Sequence, residues 1–569
     1  MDDGVRTGEV ARARPTVLEW FALAASLLLT LQYAWVLDDA YIYARYVDNL
    51  VHLGRGLVFN DGEYVEGYSS PLWCLLLAPV RALGLQWWTA IRLLGLVCAA
   101  GSWWLLVVLA RRAAPSGARP LNLAAILLCF NYAVQSYFTS GVEAPMVQLV
   151  ACAFALYVFD PRHRAAAVLV GLAPMVRHEL VLPLAIALVW GWRSRGAFPW
   201  IPTLVAALTL LPWLVFRVLY YADIFPNTFY LKDEVNWARG FEYLHDTAVT
   251  YGVYVLAPLL AAIAWALVRS GVASSSALRL RERWVLLLSA AAVCVYVAKI
   301  GGDPRHYRYL AFPFCVLACA SQGLLEHALQ AATPRMRSLA PALGALLALG
   351  VFALYPRQLA GHPIDRTVEH FKVGEINDAQ YHRLHYDLDF DPWVWDAGDE
   401  TLDDIDLDFI WRDKPQLPQG PVPIRGEYRR YLDAHLSARD FDVYGEGWCV
   451  RTWKRFSQSL IHKDGLTDPI LARAKVPSHR AAHKRGLKQF TPDVVTLRQR
   501  YGFKAGAARA WVAAGDAPKW LAHNIETIDA IESKAFNRHA LFENVALVLR
   551  GRLAFDPYVS DEPAAGDAR

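Results

Sequence analysis

The chain has 569 residues, of which 55% are hydrophobic and only 19% carry a charge, and it contains 21 tryptophans. A soluble chain of this size would carry more charge, so the composition indicates a polytopic membrane protein. The net charge of +4 is too small, and the charges are too dispersed along the chain, to suggest a nucleic-acid partner.

Apolar runs long enough to cross a membrane recur through the first two thirds of the sequence. A helix needs roughly twenty apolar residues to cross about 30 Å of hydrocarbon. Such runs lie at 16–37, 85–110, 119–138, 143–159, 198–220, 248–268, 284–300, 307–327 and 338–356. Two shorter runs, 164–177 and 179–192, form a pair, and 71–84 is a further short segment lying along or dipping into the membrane. The pattern predicts about eleven transmembrane helices within residues 1–356.

The remaining residues, 357–569, are predicted to form a soluble domain with mixed α and β structure. The stretch "DDIDLDFIW", Asp403–Trp411, alternates acidic and apolar residues as a half-buried strand does. The stretch 506–553 predicts helices separated by a break that contains glycine.

Arginine occurs in every second loop between the apolar runs. These arginines are Arg6, Arg12, Arg14, Arg111, Arg112, Arg119, Arg162, Arg164, Arg193, Arg195, Arg269, Arg279, Arg281, Arg283, Arg335 and Arg337. Loops rich in arginine and lysine stay in the cytoplasm, so the pattern predicts a multi-pass cell (inner or plasma) membrane protein with a cytoplasmic N-terminus. With an odd number of crossings, the domain after about residue 357 is extracytoplasmic.

The opposite loops carry ionisable and aromatic residues. They read "LDDAYIYARYV" with "VEGYSSP", "YFTSGVEAP", "MVRHELV", "YYADIFPNTFYLK" and "KIGGDPRHYRYL". Ionisable groups at the membrane edge are costly, so a cluster of them on one face is a hypothesis for a functional site. The alternative is a set of ordinary polar loop ends with snorkelling side chains. Because all these loops share one predicted face, the pattern favours a site.

Several of these motifs resemble a known family when they are taken in order. "DDAYIYARYVDNL", "GRGLVFNDGEYVEGYSSPLW", "SGVEAP", "YYADIFPNTFYLK" and "GGDPRHYRY" resemble the GT-C membrane glycosyltransferases that use polyprenyl-phosphate sugars. Among these, the chain resembles the terminal arabinofuranosyltransferases of the mycobacterial cell wall and a related bacterial group named for flagellar motor control. The similarity runs through most of residues 30–330 and continues at "DGLTDPILAR", Asp464–Arg473, and "HRAAHKRG", His479–Gly486. The resemblance implies transfer of a sugar, with arabinofuranose the best guess, from a polyprenyl-phosphate donor to a cell-envelope glycan acceptor.

A transferase of this kind needs a carboxylate that deprotonates the acceptor hydroxyl, and the adjacent Asp38 and Asp39 are the candidates. In a helix they point about 100° apart. Tyr41 and Arg45 follow Asp38 on one helical face, which favours Asp38 as the inward residue. The resemblance implies the same assignment. Asp39 would then hold Arg45 or a metal, or cap the loop helix, and Glu66 matches a second acidic position of the family.

Cationic groups should stabilise the negative charge that builds on the departing phosphate. The candidates for the phosphate side are Arg45, Arg177, His178, Asn227, Lys232, Arg305, His306 and Arg308, and the candidates for acceptor or supporting roles are Tyr41, Glu143 and Asp303.

Three of these candidates also have a purely structural explanation. Asn227 could belong to an ordinary Pro-Asn turn, Glu143 could cap a helix start, and Asp303 could simply occupy a tight turn. Asp38, Asp39, Glu66 and Asp303 offer hard oxygen ligands, but their spacing does not define a site, so a divalent cation stays open.

Two other functional classes are alternatives to an inverting glycosyltransferase. A transporter or flippase should carry polar residues across the bilayer midplane and in repeated halves, and the sequence shows neither pattern. A non-catalytic scaffold related to flagellar motor control is disfavoured because both the carboxylates and the cationic set are present.

Overall fold

The computed structural model describes two parts of the chain. The first is residues 15–331 except 33, 35, 38, 61, 116–119, 233–234 and 304–305; the second comprises 349–350, 509, 512–513, 515, 522–523, 525–536 and 541–550. All regular structure in these residues is helical. The strand predicted at 403–411 and the two family-like motifs after residue 464 lie outside the described residues.

The described helices follow the apolar runs of the sequence. In chain order they are α1 Val17–Gln32, α2 Asp39–Val51, α3 Pro71–Ala82, α4 Trp87–Ala113, α5 Leu123–Cys129, α6 Tyr132–Gln135, α7 Ala144–Phe159, α8 Arg164–Val176, α9 Val181–Arg195, α10 Trp200–Tyr221, α11 Asn227–Lys232, α12 Trp237–Thr250, α13 Val253–Arg269, α14 Leu280–Lys299, α15 Ala311–Ala320, α16 Leu324–Ala331, α17 Ile525–Phe536 and α18 Leu541–Arg550. Short 3₁₀ turns at His178–Leu180 and Arg308–Leu310 precede α9 and α15. The predicted pair at 164–192 is present as the helices α8 and α9, the short segment at 71–84 contains α3, and α17 and α18 lie in the stretch 506–553 that was predicted to be helical. The position of α3 relative to a membrane stays a prediction.

Three helical segments of the described chain are long and apolar enough to cross a membrane: α4, α10 and the continuous span Arg308–Leu329. Helices α12 and α13 meet the criterion together, although they are bent by 68° at the break between them. The structure is thus that of a helical membrane protein, and the predicted count of about eleven crossings is not confirmed. Helix α7 has 16 residues, about 24 Å, which is shorter than the hydrocarbon layer.

The predicted crossing at 119–138 is broken into α5 and α6. Asn131 accepts a hydrogen bond from the backbone N–H of Val134 at 3.1 Å, which caps α6. The Gln135 side chain donates to the carbonyl of Leu128 at 2.8 Å and accepts hydroxyl groups from Ser26 and Thr30 at 2.9 and 3.0 Å. These internal partners satisfy the polar groups that a break inside an apolar environment exposes.

Helix α7 forms the centre of the bundle. Apart from Leu149, all of its residues are buried, and it packs against α4, α8 and α15. Gly95 of α4 faces the loop before α7, where an added Cβ would lie 1.9 Å from the carbonyl oxygen of Phe138. Only glycine fits at this contact, which holds the loop leading to α7 against α4.

Arginine side chains close one end of the bundle. Arg279 donates to the carbonyls of Arg112, at 3.2 Å, and of Phe159, near the ends of α4 and α7. Arg283 donates to the carbonyl of Ala320, the last residue of α15, and to that of Gln322, which follows the helix. These cations satisfy helix-terminal carbonyls that lack intrahelical partners. The starts of α7 and α15 and the ends of α10 and α14 lie at the other end, with the loops that carry the predicted site.

Candidate active site

The acidic loop after α1 is fixed at the edge of the bundle. The Leu37 N–H donates to the carbonyl of Ser140 at 2.9 Å, which ties this loop to the "SGVEAP" motif. Gly141 has φ of 80°, and an added Cβ there would lie 2.6 Å from Cβ of Ala40. The close contact therefore requires glycine and brings "SGVEAP" against the start of α2. Asp38, the predicted base, lies outside the described residues.

Asp39, the first residue of α2, is held by an arginine from a distant loop. Arg308 Nη1 donates to Asp39 Oδ2 at 2.8 Å. The same guanidinium donates from Nε to Asp303 Oδ2 at 2.9 Å. Asp303 follows two glycines with φ of 78° and 72°, so the predicted tight turn exists and also aims the carboxylate inward. Arg308 thereby joins the "GGDPRHYRY" loop to the acidic loop.

A second buried arginine organises the neighbouring loops. Arg177 Nη1 donates to Glu143 Oε1 at 2.7 Å, and its Nε pairs with Glu179. Glu143 precedes α7 but makes no side-chain capping bond there, so pairing with an arginine is the alternative that the structure shows. Its Oε2 accepts the hydroxyl of Tyr43 at 3.0 Å, and that hydroxyl in turn accepts the Ser70 N–H at 3.2 Å. The motifs "DDAYIYAR", "VEGYSSP", "SGVEAP" and "VRHEL" are joined in this way.

The two arginines share an aromatic neighbour. The guanidinium carbons of Arg177 and Arg308 lie 4.6 and 5.4 Å from the centroid of the Tyr309 ring. Beside them is a cavity of about 10 Å³, lined among others by Glu143 and Glu179. A cavity of this size holds at most one water molecule, so the two arginines lie in a tightly packed layer. Burial raises the pKa of the Glu179 carboxyl, but Arg177 and His178 outweigh it and hold that pKa below its usual value.

Glu66 belongs to a separate buried ion pair. Arg217 of α10 donates from Nε and Nη2 to the two carboxylate oxygens of Glu66, at 2.5 and 3.0 Å. The Asn227 N–H donates to the Glu66 carbonyl at 2.8 Å, and Arg217 Nη1 donates to the carbonyl of Ile224 at 2.9 Å. The pair therefore fastens the segment between α2 and α3 to the "YYADIFPNTFYLK" loop. Burial raises the pKa of Glu66, and the opposing effect of Arg217 leaves it above its usual value.

His178 is the most accessible cationic candidate whose side chain is described. Its side chain is 40% exposed, against 10% for Arg177 and 8% for Arg308. The Nε2 atom lies 2.7 Å from the hydroxyl of Tyr296, and Nδ1 lies 3.6 Å from a Glu179 oxygen. The ring also contacts Phe229 of α11 edge-on, with centroids 6.4 Å apart. His178 thus faces the "YYADIFPNTFYLK" loop.

The other candidates lie away from the Arg177 and Arg308 pairs or beyond what is described. Arg45 is buried and donates to the carbonyl of Phe59 at 2.6 Å, so it supports the segment between α2 and α3. His306 is buried with Nε2 at 2.9 Å from the Tyr251 hydroxyl. Tyr41 packs edge-on against Trp88 with centroids 6.5 Å apart. The side chain of Lys232 and the whole of Arg305 lie outside the described residues.

The arginine contacts bear on the possible cation site. Asp39 and Glu66 each bind a different arginine, and within the described residues no group of three or more His, Cys, Asp or Glu could hold a metal ion. Asp38, the third proposed ligand, lies outside the described residues. A divalent cation therefore stays a prediction that rests on the sequence.

Five residues of the network were not identified from the sequence: Tyr43, Glu179, Arg217, Tyr296 and Tyr309. Arg217 carried a usable signal, because it stands alone in the apolar stretch "LVFRVLYY", and an ionisable residue inside such a run indicates an internal partner. The tyrosines carried none, because aromatic residues are common throughout these loops.

The fold and the site together define a helical membrane protein with a buried network of carboxylates and arginines at one end. Two curated relatives match part of the chain, and both are named terminal beta-(1->2)-arabinofuranosyltransferase. The protein from Mycobacterium tuberculosis is 28% identical over 275 residues, which is 42% of this chain and 42% of the relative. The protein from Corynebacterium glutamicum is 30% identical over 337 residues, which is 50% of this chain and 47% of the relative.

These matches confirm the resemblance to arabinofuranosyltransferases. The aligned part is less than half the length of either relative, at 42% and 47%. No family model and no solved structure matches the chain.

Proposed function

We propose that this protein is a GT-C membrane glycosyltransferase that moves a sugar from a polyprenyl-phosphate donor to a cell-envelope glycan outside the cytoplasm. Arabinofuranose is the proposed sugar, because both curated relatives are named for its transfer. The observation that carries the proposal is the network itself. It joins the carboxylates and arginines of the motifs that resemble this family, at one end of a bundle of apolar helices.

The proposed chemistry is a single displacement with inversion at the anomeric carbon. The acceptor hydroxyl oxygen attacks that carbon, its proton passes to the Asp38 carboxylate, and the bond to the phosphate oxygen breaks. The electron pair leaves with the lipid phosphate, where nearby cations stabilise the new charge. Because Asp39 already accepts a hydrogen bond from Arg308, it is suited to holding that arginine, which leaves Asp38 as the base.

Apolar surfaces next to the site support a donor carried on a hydrocarbon chain. Among the described residues, a largely apolar groove of about 780 Å³ opens between α13, α14 and α15. Tyr251 is one of the residues that line this groove, and its hydroxyl contacts His306 of the "GGDPRHYRY" loop. A second apolar surface lies on the "YYADIFPNTFYLK" loop, where Phe225 is 45% exposed and stacks on Phe229 with centroids 4.3 Å apart.

The donor could reach the site along the groove or along the "YYADIFPNTFYLK" loop. Substitution of Lys232 distinguishes these two routes, because Lys232 lies at the end of α11 in that loop. If the donor phosphate enters there, Lys232→Ala should raise the KM for donor far more than the KM for acceptor. Equal effects on both constants, or none, would count against this route.

Transfer of a labelled sugar from synthetic polyprenyl-phosphate arabinofuranose by the purified full chain in detergent tests the proposal. Asp38→Asn should lower the rate about a hundred- to ten-thousandfold, because general-base catalysis typically contributes that much. Asp39→Asn should lose less. The matched control is Asp160→Asn, which loses an ion pair with Arg112 at the arginine-rich end of the bundle.

The pattern of losses decides between the assignments. If Asp38→Asn transfers sugar at a near-normal rate and Asp39→Asn is inactive, the general base is Asp39. Near-normal transfer by both variants rejects the carboxylate-base mechanism. If the unsubstituted protein moves labelled donor across liposome membranes but transfers no sugar, the protein is a transporter.

A further inference from the structure

The helix α18, Leu541–Arg550, lies far along the chain from the membrane bundle and yet packs directly on it. It contacts α10, one of the membrane-spanning helices. Asn544 is only 1% exposed, and its Nδ2 donates to the carbonyl of Leu219 at 3.0 Å. Leu219 belongs to the last turn of α10, whose carbonyls have no intrahelical partner. The amide of Asn544 therefore fixes α18 against the end of a membrane helix.

The position of this contact along α10 sets the depth of α18. Helix α10 exposes Leu204, Leu208, Leu211 and Val215 by 54–65%, and their spacing of four, three and four residues forms one apolar stripe. Such a stripe on a membrane-spanning helix faces lipid. Leu219 lies four residues beyond Val215, about 6 Å further along the helix. Helix α18 therefore packs on α10 just beyond the end of this apolar stripe.

Helix α18 also presents large apolar side chains on a free face. Among its residues whose side chains are described, the buried one is Asn544, whereas Phe542 and Leu549 are 90% and 80% exposed. These two residues are seven apart, so they lie within about 20° of each other on one face of the helix. Large apolar side chains on a free face indicate contact with a membrane or a protein partner.

A third observation extends this apolar surface. The loop directly after α10 exposes Ile224 by 46% and Phe225 by 45%. The same loop continues to Asn227, whose N–H binds the carbonyl of Glu66. The exposed face of α18 and this loop thus adjoin the same end of a lipid-facing helix, beside the candidate site.

We propose that α18 is an interfacial helix that inserts Phe542 and Leu549 into the membrane leaflet on the side of the candidate site. The partner is the boundary of hydrocarbon and headgroups, because the apolar face continues a stripe that is already lipid-facing. The region after residue 357 was predicted to be a soluble domain; on this proposal its last described helix returns to the membrane. The inference requires only that α10 spans the membrane and does not depend on the proposed enzyme activity.

Spin-label accessibility in the full chain reconstituted into phospholipid nanodiscs tests this placement. Cysteines introduced one at a time, as Phe542→Cys and Leu549→Cys in a Cys449→Ser background that keeps the other seven native cysteines, would carry the label. The lipid-facing control is Leu208→Cys on α10, and the water-facing control is Glu526→Cys on α17, whose native side chain is 83% exposed. The labelled background protein corrects for the other cysteines.

Collisions with oxygen, which concentrates in lipid, are compared with collisions with a water-soluble nickel complex. We expect the oxygen-to-nickel ratio at 542 and 549 to be several-fold above that at 526 and close to that at 208. A ratio like that at 526 places the helix in water and overturns the proposal. Protection from both reagents means that protein covers the face, which overturns it as well.

A second measurement needs no substitution and covers the case in which the variants fold poorly. Nanodiscs containing a phosphatidylcholine with a photoreactive acyl chain are irradiated with the unsubstituted protein, and the cross-linked peptides are identified by mass spectrometry. Lipid adducts on the peptide that contains Phe542 and Leu549 support the proposal. Adducts on the α10 peptide without any on the α18 peptide reject it.

Discussion

The buried pair of Glu66 and Arg217 allows a quantitative test, because the two side chains are only 1% and 10% exposed. Breaking a pair that is removed from water in this way typically costs about 3–5 kcal/mol, far more than the loss of a surface pair. Arg217→Gln removes the cation and leaves the carboxyl of Glu66 buried. We therefore expect the free energy of unfolding to fall by about 3–5 kcal/mol near neutral pH.

The pH dependence of this loss has a definite sign. Burial already raises the pKa of Glu66 in the presence of Arg217, and removing the arginine removes the opposing effect. A carboxyl with a higher pKa in the folded protein binds more protons when folded than when unfolded. Its contribution to stability is therefore present at low pH and declines as the pH rises through the folded pKa, by up to about 1.4 kcal/mol per pH unit.

Thermal unfolding in detergent, followed by the fluorescence of the 21 tryptophans, measures this effect between pH 5 and pH 7.5. The penalty of Arg217→Gln relative to the unsubstituted protein should shrink at the acid end, because protonation of Glu66 removes the buried charge. The control Arg509→Gln removes an exposed arginine that pairs with Glu526 and should change the melting temperature little. A penalty that grows on acidification, or none at either pH, would refute the reasoning.

Three further substitutions separate stability from transfer. Tyr43→Phe removes the hydroxyl that binds Glu143 and should cost about 1–3 kcal/mol of unfolding free energy while lowering transfer; unchanged melting and unchanged rates would contradict this. Arg308→Lys cannot reproduce the fork that holds two carboxylates, so kcat should fall about tenfold or more, and a normal kcat would exclude a role for that geometry. Arg279→Gln loses contacts with helix-terminal carbonyls at the opposite end of the bundle, so the free energy of unfolding should fall by about 1–3 kcal/mol while the transfer rate per folded molecule stays normal. A loss of transfer rate without a loss of stability would show that the two ends are coupled.

The local features of this site followed from its sequence, because they depend on neighbouring residues. The two glycines of "GGDP" predicted a turn that aims Asp303, and the turn and the buried carboxylate are both present. The apolar runs likewise predicted most helix positions. The break between α5 and α6 was not predicted, because hydropathy averages over Asn131 and Gln135 and does not show that their side chains satisfy the broken backbone.

The long-range partners could not be read from the sequence. The sequence suggests that Asp39 holds Arg45 or a metal, or caps the loop helix, but it gives no sign of the hydrogen bond from Arg308, 269 residues away. It likewise gives no sign that Arg45 donates to the carbonyl of Phe59. Spacing along one helix indicates which residues share a face. It carries no information about which side chains another loop brings to that face.

The charges of the network bear on how a phosphate could approach it. Arg177 and Arg308 together contact four carboxylates: Glu143, Glu179, Asp39 and Asp303. Because two arginines are shared among four carboxylates, they offer little net attraction to a further anion. Their geometry instead suits them to hold the carboxylates in place. On the proposed function, the donor phosphate should therefore approach from the side of His178, which is the most exposed of the cationic candidates whose side chains are described and contacts α11 through Phe229. Displacement with inversion then requires the acceptor hydroxyl to attack the anomeric carbon from the side opposite to this phosphate.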